Sequence, residues 1–373
     1  MSNISSFLEA APGTALTVKP DYYVLTDGTA KTVPSLLEDK AISDPGKVKV
    51  FIDHQTPCGS EAHAEWQKQL IRFAADRGCE LFNGYGTNYQ LMLEKIVKPG
   101  QVVAHCGDYG SIYGAAGVLA VKLSSEQLAE AILSGEVSVT APEKFHLRLE
   151  GNVKSPACAK DAAIAALGLL GDTTGKLVLV SGNVPEGSEK LAFFQLLSLS
   201  GCDAALEEIT CETPDAVLDL YEVVPMVAGP NDFSLTVPAA ELEEIPVTAV
   251  FIGGCSAGRI EDLRAAAAVI KGRRVQRKVR TLVAFASTDI YIQAANEGLI
   301  TQFMEAGALV MNQGCSACYA HSQGLVDDKD TVLSAGSRAC PNCNGEGEAP
   351  TMLCSAATAM ESAIAGYVSP AAI

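Results

Sequence analysis

The residues in this chain best suited to hold a metal are one lone cysteine and two cysteine pairs. Cys315 and Cys318 form a C-x2-C pair, Cys255 precedes them by sixty residues (315 − 255), and Cys340 and Cys343 form a second pair with twenty-one residues after Cys318. Cys255, Cys315 and Cys318 each sit in a glycine-rich loop that follows a short apolar run. Three thiolates can hold three corners of a 4Fe–4S cluster and leave the fourth iron open. An open iron acts as a Lewis acid on a hydroxyl or carboxylate. The two C-x2-C pairs taken together instead match the spacing of a closed structural zinc site. On spacing alone the zinc reading is the stronger of the two.

A second set of residues could move protons. Asp53-His54 follows the apolar run Val48 to Ile52, and Asp108 follows Val102-Val103-Ala104. A carboxylate and an imidazole at the carboxyl ends of strands lie where open α/β sheets bind ligands.

Positioning these groups requires alternating strands and helices, and the sequence supplies them. Val48 to Ile52, Val102 to Ala104, Lys176 to Val180 and Val247 to Ile252 read as buried strands. Glu61 to Arg77, Ser125 to Leu133 and the alanine-rich Ile260 to Lys271 read as helices. The alternation predicts an α/β fold with mostly parallel sheets. An internal echo pairs VKVFIDHQTPCGSEAH, from Val48, with VTAVFIGGCSAGRIED, from Val247; KPGQVVAHCGDYGSIYGA pairs likewise with EAGALVMNQGCSACYAH. The echo predicts two pseudo-repeated domains facing each other across a cleft. Boundaries near Pro142 and near Glu241 to Pro246 divide the chain into residues 1–141, 142–240 and 241–373. The middle part, with an irregular acidic run from Glu207 to Asp219, reads as scaffold.

Composition narrows the class further. The 373 residues carry a net charge of −17, which argues against nucleic acid or an anionic membrane as the main partner. No run reaches the length of apolar residues that a membrane helix needs, and Met1 to Ala11 has no secretory pattern, so a cytoplasmic location is expected. Twelve cysteines in such a chain are thiols, ligands or core residues rather than disulfides. Cys79, Cys106, Cys158, Cys202 and Cys211 read as small buried hydrophobes.

The text around the cysteines adds a resemblance. GGCSAGRIEDLRAAAAVIKGRRV and AGALVMNQGCSACYA are similar to the cluster-cysteine segments of the aconitase and 3-isopropylmalate dehydratase large-subunit family. FIDHQTP, EKIVKPGQVV, KDAAIAALGLLG, SAGSRACPNCNG and APTMLCSAATAMESAIAGYVSP fall in family order, so the resemblance runs from about residue 45 to the C-terminus. It implies a three-domain aconitase-like large subunit and a hydro-lyase that dehydrates or isomerises a small hydroxy acid. The implied 4Fe–4S cluster is held by Cys255, Cys315 and Cys318. It also implies catalytic roles for Asp53, His54 and Asp108, and substrate binding by Ser111, Arg338 and Arg259. The family's remaining swivelling domain implies a small-subunit partner, in a heterodimer or heterotetramer.

The chain departs from the pattern at several positions. The Ser and His of the family's Asp-Ser-His-Thr motif are Tyr109 and Gly110, and a His-Gln pair is Tyr89-Gln90, with Glu94 retained. A second motif arginine falls on Cys343, an asparagine falls on Ser337, and the glutamate of a Val-Glu-Phe strand has no counterpart in LVLVSG. These changes point to a substrate other than citrate or isopropylmalate, with Tyr89 and Tyr109 as replacement acid–base groups. They also leave open a cluster-bearing redox or sulfur-chemistry protein, or a zinc protein using Cys315, Cys318, Cys340 and Cys343.

Overall fold

The structure, a computed structural model, describes residues 3–207, 213–230, 232–242, 244–319, 322–324, 326–337 and 349–372. Arg338, Cys211, Cys340 and Cys343 lie outside the described residues.

Three largely parallel sheets carry the chain. The first contains, in chain order, Tyr22–Thr26, Val48–Ile52, Glu80–Asn83, Val102–His105 and Leu119–Lys122, arranged 3-2-1-4-5 with every pair parallel. The second contains Glu143–Glu150, Lys176–Gly182, Ala204–Glu207 and Ala216–Asp219, arranged 3-2-1-4 and again parallel. The third has a parallel core of Ala249–Ile252, Arg280–Phe285, Leu309–Gln313, Val332–Ser334 and Thr351–Leu353, also in the order 3-2-1-4-5. Met226–Ala228 and Thr236–Pro238, which precede residue 241, extend that sheet antiparallel beyond Thr351–Leu353.

The shared strand order means the first and third sheets repeat one topology, though not in the register of the sequence echo. Val48–Ile52 is the second strand of its sheet, whereas Ala249–Ile252 is the first of its own. Val102–His105 is a fourth strand and Leu309–Gln313 a third. An apolar run, a glycine and a cysteine recur after any parallel strand, so local pattern does not encode strand order. The acidic run that read as irregular ends in a regular strand, Ala216–Asp219, paired with Leu147 to Glu150.

Local chemistry sets the helix ends. Glu61–Arg77 starts at Ser60, whose side chain accepts from the His63 N–H, and stops at Gly78 with φ 69°. Ser125–Ser134 opens with a reciprocal Ser124/Gln127 capping box, and Ala356–Ala365 is capped by Ser355 and closed by Gly366. Val48–Ile52 is buried throughout, as a central parallel strand must be. Of the lone cysteines, Cys79 and Cys202 are buried, while Cys106 and Cys158 are only partly so. No helix among the described residues is long and apolar enough to cross a membrane.

Close backbone contacts lock the sheets together. Gly86 bridges Ser287, and a Cβ at position 86 would lie 2.5 Å from the Ala286 carbonyl. Thr87 N–H donates to that carbonyl at 2.8 Å. Gly114 packs so tightly on the second sheet that a Cβ there would stand 1.8 Å from the Ala205 carbonyl.

Candidate functional site

In a 3-2-1-4-5 sheet the strand order reverses between the first and fourth strands, and ligands bind outside their carboxyl ends. In the first sheet those ends are Thr26 and His105. A cavity opens there, lined by Thr26, His54, His105, Asp108 and, from the third sheet's loops, Cys255, Cys315 and Cys318.

Asp27 organises the proton-carrying side of this cavity. It is fully buried just after the first strand. Its Oδ1 accepts from Asp53 N at 3.1 Å and His54 N at 2.9 Å, and its Oδ2 from His63 Nε2 at 3.0 Å and Gln67 Nε2 at 2.9 Å. Asp53, also fully buried, lies 2.7 Å from His54 Nδ1 through Oδ1 and accepts from Asn88 N and Nδ2 at 2.6 and 2.8 Å through Oδ2. Burial alone would lower the His54 pKa, but Asp53 and Asp27 outweigh it and raise it to about 10. His54 is therefore an imidazolium at neutral pH, with Nδ1 committed to carboxylates. Gly28 leaves room for it, since a Cβ there would lie 2.3 Å from the ring. Tyr319 meets the ring edge-on at 4.6 Å.

The cysteine side is built directly on this loop. Cys315 N–H donates to the Asp53 carbonyl at 2.9 Å, and Cys318 N–H to the Cys315 carbonyl at 3.0 Å. Gly314 permits the approach, because a Cβ there would lie 2.8 Å from Asp53 O. Cys255 comes from the turn after Ala249–Ile252 and receives a hydrogen bond from Gln195 Nε2 at 2.6 Å. Burial pushes the Cys255 thiol up to about 11 and the Cys315 thiol well above its ordinary value, and the neighbouring cysteines add to both shifts. Thiols that raise one another in this way would be relieved by a cationic group between them. Three cysteines lining one cavity fit a cluster with one open iron. Asp53, His54 and Cys315 also bring ligand atoms within 4.8 Å of one another. The carboxylate oxygens and Nδ1 in that trio are already spent on each other, Asp27 and Asn88.

The other expected residues divide. Asp108 lines the cavity, is exposed, and lies 3.9 Å from Lys122. Ser111 does not line it: its fully buried hydroxyl donates to the Phe194 carbonyl at 2.6 Å, tying the first sheet to the second. Arg259 is also withdrawn, donating to Gln90 Oε1 at 3.1 Å, Gln195 Oε1 at 2.9 Å and Ser256 O at 3.4 Å. It orients the glutamine that holds Cys255 rather than facing a ligand. Tyr89 and Tyr109 both line the cavity; Tyr109 N donates to Tyr89 Oη at 3.1 Å, and burial raises the Tyr89 pKa well above its ordinary value.

Sequence reasoning missed Asp27, His105, Gln195 and Lys160. Lys160 is buried in the helix Ala159–Leu170 and donates to Ser256 Oγ at 2.8 Å and to the carbonyls of Ala335 and Gly336. With Gln195 it makes the middle segment part of the site rather than scaffold alone. His105 accepts from Gly107 N at 3.1 Å through Nδ1, and burial, then Lys122, lowers its pKa to about 4. Asp27 and His105 had a visible signal, since each closely follows an apolar run.

Comparison with known proteins places the chain among relatives. The model of the aconitase family (aconitate hydratase) matches residues 231–366. The chain is 30% identical to a 3-isopropylmalate dehydratase large subunit from Archaeoglobus fulgidus, across 96% of this chain and 94% of that one. It is 29% identical to a homoaconitase large subunit from Thermus thermophilus, across 95% and 92%. The crystal structure of aconitase X (holo-form) from Thermococcus kodakaraensis has the same fold, with a TM-score of 0.55 at 13% identity over 87% of this chain and 84% of that one. On its sequence, its parallel α/β sheets and its likeness to these hydro-lyase large subunits, the chain belongs to the aconitase family.

Proposed function

We propose that this enzyme is the large subunit of a hydro-lyase that dehydrates or isomerises a small hydroxy acid, with a 4Fe–4S cluster on Cys255, Cys315 and Cys318. The observation that carries the reading is the convergence of those cysteines, from two separate loops, on a cavity that also presents His54 and Asp108. When bound, the cluster supplies an open iron as Lewis acid toward hydroxyl and carboxylate oxygens. The chain supplies proton handling and exclusion of water. His54, charged and clamped through Nδ1 by Asp53 and Asp27, has Nε2–H left to protonate a departing hydroxide. Asp108, exposed at the cavity, can accept a proton. Tyr89 and Tyr109, held together, close the wall where the family motif has imidazole and serine.

Relatives named large subunits support a small-subunit partner, in a heterodimer or heterotetramer, and we place the enzyme in the cytoplasm. We divide the chain at residues 1–141, 142–240 and 241–373, with the edge strands Met226–Ala228 and Thr236–Pro238 reaching from the second part into the third sheet.

Anaerobic purification with iron, sulfide and zinc analysis, and EPR before and after mild oxidation, tests the reading. About four irons per chain and a three-iron signal after oxidation are expected. Stoichiometric zinc, lost in Cys343→Ser, would replace it with the structural-zinc reading.

A further inference from the structure

The turn that carries Cys255 is gripped by buried cations. Lys160 reaches it from the helix Ala159–Leu170 and donates to Ser256 Oγ at 2.8 Å. Arg259, at the head of the helix Ile260–Ile270, donates to the Ser256 carbonyl at 3.4 Å. The residue directly after Cys255 is thus held at its hydroxyl by one cation and at its carbonyl by the other. Lys160, Arg259 and Ser256 are all buried.

Lys160 also reaches a second loop. It donates to the carbonyls of Ala335 and Gly336, the latter at 3.3 Å. That loop packs on the cysteines: a Cβ on Gly336 would stand 3.4 Å from Cys318 Sγ, and Ser337 Oγ lies 4.0 Å from Cys255 Sγ. Three oxygens around Nζ match the three N–H groups of an ammonium. Burial lowers the Lys160 pKa, while Asp262 and then Cys354 favour its charged form.

Cations held in a protein interior are costly unless negative charge lies close by. Three thiolates and their cluster would bring such charge to this turn. An electron added to the cluster makes it more negative still. Buried cations beside it stabilise that state, because salt screens them little.

We propose that Lys160 and Arg259 are positioning residues that set the cluster's affinity for an electron, by holding the Cys255 turn and placing positive charge behind it. This rests on the cluster reading above and adds to it a control on the cluster's potential.

An EPR-monitored potentiometric titration of the anaerobically reconstituted chain reads this without substrate. Lys160→Met keeps the bulk and removes the charge. It should lower the potential by about 59 mV or more, a tenfold loss in a one-electron equilibrium constant. Arg259→Gln should lower it too, whereas Arg259→Lys, which keeps the charge and loses the guanidinium fork, should stay near wild type. The arginine pair decides the matter even if Lys160→Met does not load a cluster. A wild-type potential in fully loaded Lys160→Met, or Arg259→Lys moving as far as Arg259→Gln, would overturn the proposal and leave the cluster reading in place. A wild-type chain that binds no cluster on these cysteines would overturn both.

Discussion

Asp27 Oδ1 accepts the His54 backbone N–H at 2.9 Å and lies 3.2 Å from Nδ1 of the same residue. One carboxylate oxygen thus holds the turn and, together with Asp53, the charge state of the imidazole. In Asp27→Asn, His54 should titrate well below its native value of about 10, read by ¹⁵N NMR of the imidazole. The linkage sign follows from a raised pKa. The pairing stabilises the fold fully below the unfolded value near 6.5, and that stability is lost as pH rises through 10. The variant should lose roughly 2–4 kcal/mol at pH 7, because it breaks a buried network. An unshifted His54 would remove Asp27 from its role.

His105 carries the opposite sign. Burial holds its pKa at about 4, below its unfolded value, so the unfolded chain binds more protons between those pH values. Its contribution is present above the unfolded value and fades as pH falls toward 4. Measured by denaturant unfolding at pH 7 and pH 5, wild type should lose about 2 kcal/mol relative to His105→Gln. Equal losses would contradict the assignment.

Gln195 donates to Cys255 from the helix Gly187–Leu197, and Arg259 fixes its carbonyl oxygen. Gln195→Leu keeps the volume and removes the donor. Iron release to a chelator should speed by roughly 10- to 100-fold, the usual effect of losing a partner behind a metal ligand. Cys202→Ser, remote from the cavity, serves as the control, and equal release rates in the two variants would sink the prediction.

Gly114→Ala should destabilise the chain by several kcal/mol, since its Cβ would meet the Ala205 carbonyl at 1.8 Å. Thermal melting checks this. An unchanged melting temperature would mean that the contact between the two sheets is looser than described.

Much of this was legible in the sequence because the signals are local. Glu61–Arg77 announces itself through Ser60 and Gly78, and Val48–Ile52 through an unbroken apolar run. The cysteines and Asp53-His54 stand out by type and spacing. Gln195 and Lys160 were invisible because nothing in their own segments requires them; their partners lie 60 to 176 positions away. Arg259 and Ser111 matched a motif but spend their hydrogen bonds inside the protein, which only packing reveals. The echo failed in register because pairing order is a property of the whole sheet.

The hydrogen bond from Cys315 N–H to the Asp53 carbonyl has a consequence for dissection of the enzyme. A fragment spanning residues 231–366 would retain every cysteine of the triad yet lack that carbonyl, Gln195 and Lys160. Such a piece, made by protease or by gene truncation, should fail to keep iron even if its own sheet folds. Adding back residues 1–230 in trans would be the way to restore it.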